Sequence, residues 1–103
     1  MTVNDLKSLF DYGHWANRKL FAVISQLTLD QFTKPLSGDH GSVRKTMAHI
    51  LSAESGWVRR CSGLERGTPL NPDDYSTPAA LADASNRVEA NTREFLSKLK
   101  DED

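Results

Sequence analysis

Apolar residues recur along the chain at alternating steps of four and three, in three separate blocks. In the first, Val3 to Leu27, the stripe is Leu6, Phe10, Gly13, Asn17, Leu20, Ile24 and Leu27, widened by Leu9, Ala16 and Val23. In the second, Val43 to Cys61, it is Val43, Met47, Ile50, Glu54, Trp57 and Cys61, and the spacing runs on to Leu64. In the third, Pro78 to Leu99, it is Leu81, Ala84, Val88, Thr92, Phe95 and Leu99. This period predicts helices packed side by side in a bundle. At 1.5 Å per residue the first helix would be about 37 Å long.

The boundaries carry their own signals. Ser42 and Thr77 are good N-caps, and Pro78 occupies the tolerated first helical position. "TLDQ", Thr28 to Gln31, has the capping-box pattern and predicts a short turn of helix. Pro35, Gly38 and Gly41 break the chain before the second block, and "SGLERGTPLNPDDYST" separates the second from the third. Glu89–Arg93 and Glu94–Lys98 are i, i+4 pairs in the favoured order. No segment alternates as a strand does. The expectation is an all-α protein with long antiparallel helices.

Composition bounds this picture without changing it. The 103 residues suffice for one small domain, taken as 1–103, with a modest core at 38% hydrophobic residues. A formal net charge of −1 gives no reason to expect nucleic acid or an anionic membrane as partner. Cys61 is the single cysteine, so no internal disulfide can form. The N-terminal "MTVNDLKSLF" has no secretory pattern, and the longest apolar run, "LFAVI", is far shorter than the ~20 residues a bilayer span needs. A soluble, cytoplasmic protein is expected.

Several residues on or beside the stripes could carry chemistry. Glu54 sits mid-stripe on the second helix, where a carboxylate is costly unless paired or hydrogen-bonded. Asn17 holds the same position on the first. Glu54 could accept from Asn17, from a Trp indole, or from a third group. It is either a structural hydrogen-bond acceptor or the mark of a polar pocket at mid-height of the bundle. His49 lies about 100° round the helix from Ile50, on the flank beside Ala53 and Gly56, and His14 holds a similar flank on the first helix. His40 is in the loop before the second helix. These three histidines do not form a recognised metal spacing. Trp15 points away from the stripe, either covered by another element or lying against its own helix. Cys61 falls on the apolar seam and reads as core rather than nucleophile. Arg59 and Arg60 make a small basic patch. No catalytic residue is assigned by pattern alone.

Three segments together, "YGHWANRKL" (Tyr12–Leu20), "HGSVRKTMAHIL" (His40–Leu51) and "HILSAESGWVRRCSG" (His49–Gly63), resemble the DinB family of four-helix bundles, which includes thiol-dependent transferases and isomerases. The Trp-Ala-Asn triplet, the Gly-Ser before the second helix, and a His with an acid five on and a Trp eight on are that family's habits. The resemblance implies an up-down-down-up bundle with a long crossover, for which Ser62 to Thr77 has a suitable length. It also implies a divalent metal (nickel, zinc or manganese) held by three histidines, one on the second helix and two on the fourth. The first of these falls on His49. Glu54, Asn17 and His14 would then line the pocket or support the ligand, and a small thiol would be the substrate.

The chain departs from that pattern at "SKLKDED", where the family continues into a fourth helix carrying the other two histidines. Only the first three long helices of the bundle are then expected, as an incomplete copy lacking the family's full site. Catalytic zinc typically uses three protein ligands, and one imidazole does not replace them. Three helices shaped for four would leave an apolar groove open. The expected consequence is a homo-oligomer formed through that groove. The alternatives are a metal-assisted transferase or hydrolase-like enzyme completed from outside the chain, and a non-catalytic helical association module.

Overall fold

A computed structural model describes residues 2–36 and 41–101; the loop residues Gly38 and His40 fall outside that range. Four α-helices follow in order: α1 Val3–Ile24, α2 Leu29–Thr33, α3 Val43–Cys61 and α4 Pro78–Ser97, with one 3-10 turn at Pro72–Asp74 before α4. Each start has a chemical cause. The Thr2 hydroxyl accepts from the Asp5 amide while the Asp5 carboxylate accepts from the Thr2 amide, and Thr28 and Gln31 make the same reciprocal box at α2. Ser42 caps α3 by accepting from the Lys45 amide, and Thr77 caps α4 by accepting from the Ala80 amide. The end of α3 is equally determined. Gly63 takes φ +81°, its amide bonds the Arg60 carbonyl, and the Leu64 amide bonds the Arg59 carbonyl. A glycine adopts this left-handed turn at no steric cost.

Among the described residues no segment is a strand, and no helix is long and apolar enough to cross a membrane. The all-helical expectation holds, but not every helix pair is antiparallel. Asp11 on α1 meets Arg93 on α4, and Arg18 meets Glu89, so those two helices run in opposite directions. Glu54 on α3 meets Thr92 on α4, and the last turns of both helices line one cavity, so α3 and α4 run in parallel. Parallel neighbours need a long return, and residues 62–77 supply it. The return retraces α3. Arg59 Nε donates to the Glu65 carbonyl, the Leu70 amide donates to Ser52 Oγ, and Arg44 pairs with Asp73. The described helices therefore make the up-down-down part of an up-down-down-up bundle, in a body 48 × 27 × 23 Å.

The core gathers Phe21 and Ile24 from α1, Phe32 from α2, Met47, Ala48 and Leu51 from α3, and Leu81, Ala84 and Val88 from α4. Leu70 and Tyr75 of the crossover pack against its edge. Phe32 is the reason the short α2 persists: five residues are too few to be a stable helix alone, but this ring is fully buried.

The stripe expected on α4 faces inward at Leu81, Ala84, Val88 and Thr92. On α1 and α3 the buried face is displaced from the expected one. On α1 it contains His14 and Phe21, while Gly13 and Leu20 are exposed; on α3 it contains Ala48, Leu51 and Ser52, while Ile50, Trp57 and Cys61 are exposed. The expectations of a core Cys61 and a flank His14 are therefore corrected. The rotation follows from α4, which packs on both helices and draws one face of each toward itself.

The original stripe is left on the outside. Leu9, Leu20 and Val23 lie within about 60° of one another on α1, and roughly opposite Asp11 and Arg18, which reach α4. Ile50 and Trp57 lie roughly 110° round α3 from buried Leu51. Because α1 and α3 run in opposite senses, both rotations carry these residues to the side away from α4. Leu9, Leu20, Val23, Ile50 and Trp57 are all exposed.

Candidate functional site

The most constrained polar group in the molecule is a carboxylate shared by three helices. Glu54 Oε2 lies 2.6 Å from Thr92 Oγ1 on α4 and 3.0 Å from His14 Nε2 on α1. An ionised carboxylate only accepts, so the threonine hydroxyl and the imidazole Nε2–H both donate to it. His14 is 2% exposed and Thr92 is fully buried. The pairing suggested between Glu54 and Asn17 is not the one made; Asn17 is half-buried, and the imidazole one turn before it reaches the carboxylate instead. The Trp indoles are not the donors either.

The other imidazole nitrogen, His14 Nδ1, is buried with no hydrogen-bond partner among the described residues, and stands 3.9 Å from Glu89 Oε1. Glu89 is held by two arginines, Arg18 at 2.7 Å and Arg93 at 3.2 Å, and Arg93 continues to Asp11 at 2.7 Å. The hydrogen bonds that Arg93 donates to Asp11 and then to Glu89 hold its guanidinium above its ordinary pKa. The Glu89–Arg93 pair visible in sequence is thus part of a larger chain that runs from α4 to α1.

Beside this cluster, between the last turns of α3 and α4, lies an open cavity of about 580 Å³. Val58, Val88, Phe95 and Leu99 give it apolar walls, and Thr92 forms part of its floor. Its size suits a small ligand.

His49 lies elsewhere. It is exposed on the second turn of α3. The structure therefore brings His14 and Glu54 together and keeps His49 apart from them. Thr92 joins the cluster, and its only signal in the sequence is a hydroxyl in the middle of an apolar stripe. Trp15 is half-exposed, 5.8 Å from the Tyr12 ring and 5.7 Å from Lys19 Nζ. It lies against its own helix, and no other described element covers it.

A sequence model of the DinB family matches residues 1–103. The chain belongs to the DinB family. A search among curated proteins found no match. His49, expected from the sequence as a metal ligand, is exposed on α3. Among the described residues, no group of three or more His, Cys, Asp or Glu side chains is placed to hold a metal ion. A single exposed imidazole is one donor, and the described residues of one copy do not by themselves fit a catalytic metal.

Proposed function

We propose that the chain is a DinB-type helical scaffold of a divalent-metal-binding, thiol-transferase or hydrolase-like lineage. In this reading His49 contributes one ligand, and the remaining donors come from outside the described residues of one copy. Without them the chain is not a catalytic unit. Family membership supports the reading, and the observation that carries it is the position of His49, an exposed residue of α3. The scaffold's own contribution is to fix the direction of α3, through the shared Glu54 carboxylate and the crossover bonds at Ser52 and Arg59. The test is the metal content of protein purified without chelators, compared with His49→Ala. Stoichiometric nickel, zinc or manganese that the variant loses supports the proposal, and a metal-free wild type refutes it.

A second reading rests on the exposed apolar residues. Leu9, Leu20 and Val23 on α1 and Ile50 and Trp57 on α3 expose large apolar side chains. Exposed apolar side chains that gather into a patch mark association sites. Here the protein is a helical self-association module without activity, joined to a second copy through these residues. Sedimentation of a concentration-dependent dimer, abolished by Val23→Asp, supports it. A monodisperse monomer at all concentrations opposes it.

A further inference from the structure

Trp57 and Arg60 share the outer side of the last turns of α3, and Arg66 returns beside them from the crossover. Gly56 makes this approach possible. The Arg66 side chain lies where a β-carbon on residue 56 would stand, since that carbon would come within 2.8 Å of Arg66 Cγ and Nε. The Arg60 guanidinium lies 5.9 Å from the Trp57 ring centre. With Ala53 and Gly56, these three side chains line a recess of about 260 Å³, slightly below the range of drug-sized sites.

The charge in this recess is one-sided. None of its lining residues is acidic. Among the described residues, neither Arg60 nor Arg66 takes part in an ion pair with a carboxylate. A basic residue in the last turn of a helix is favourable in its own right, which accounts for Arg60. It does not account for Arg66, which belongs to no helix and lies in the space that the absent β-carbon of Gly56 leaves open. Trp57 is 66% exposed at the edge of the same recess.

We propose that this recess binds a small aryl phosphate, with its ring on Trp57 and its phosphate spanning Arg60 and Arg66. Guanidinium forks match phosphate oxygens in geometry, and two of them match a charge of about −1.5 to −2 better than that of a carboxylate. The indole face supplies the apolar stacking surface. The volume admits one ring and one anionic group, so affinity is in the range of a fragment.

The chain has two tryptophans, so Trp15→Phe leaves Trp57 as the only indole and its emission reports on the recess. Titration of this protein with phenyl phosphate changes the emission saturably at about millimolar concentration or below. Arg66→Gln weakens binding about tenfold, and Gly56→Ala, which displaces Arg66, weakens it in the same direction. Inorganic phosphate and benzoate each bind at least about fivefold more weakly, because one lacks the ring and the other the second charge. Circular dichroism confirms that each variant stays helical. Absence of a saturable signal overturns the proposal, as does an unchanged affinity in a helical Arg66→Gln protein. Equal binding of inorganic phosphate overturns the role of Trp57.

Discussion

On α1 and α3, the sides toward α4 and away from it have similar residues and opposite fates. Toward α4, Phe21, Met47 and Leu51 are buried and Glu54 is satisfied by donors from two other helices. Away from α4, Leu20, Val23, Ile50 and Trp57 are exposed. Both helices thus carry an apolar arc wider than one neighbour can cover. A helix with one partner shows a narrow stripe, whereas a wide arc asks for two. Apolar period locates the faces that prefer burial, and the packing partner decides which of them obtains it.

The sharpest way to break the comparison is to empty its satisfied side. Leu51→Ala or Phe32→Ala removes a fully buried side chain and should destabilise the protein by about 3–5 kcal/mol, read from denaturant unfolding. Next is the shared carboxylate. Glu54→Leu strands the buried His14 imidazole and Thr92 hydroxyl and should cost about 2–4 kcal/mol. Glu54→Gln, which keeps an acceptor, should cost less than Glu54→Leu. Equal losses would mean that shape rather than hydrogen bonding holds the cluster. Smaller again, Thr28→Ala or Thr77→Ala should remove about 1 kcal/mol by opening a helix start. On the exposed side, Leu20→Ser should change monomer stability by no more than about 0.5 kcal/mol. A loss as large as that of Leu51→Ala would show that this face is packed.

Much of this arrangement could be read from sequence. The limits of α3, the short α2 and the caps at Ser42 and Thr77 were all legible, because a cap depends on a few neighbouring residues. The rotation of α1 and α3 was not. A 4,3 spacing fits either of two adjacent faces of a wide apolar arc, and only the position of α4 separates them. The same ambiguity placed His14 on a flank and Cys61 in the core. Glu54 was conspicuous as a mid-stripe acid, but its donors lie 40 and 38 residues away in sequence, and no local pattern joins them. The parallel course of α3 and α4 was legible only through family resemblance, since crossover length alone does not set direction.

His49 is an exposed residue of α3, whereas the His14 imidazole is buried. The proposed function depends on that difference between the two histidines. It is measured most directly by elemental analysis of the wild type, His49→Ala and His14→Gln, each purified without chelators and matched for helicity. The account predicts a stoichiometric divalent ion in the wild type and in His14→Gln, and its loss in His49→Ala. A wild type without metal, or a metal that survives His49→Ala, would contradict it.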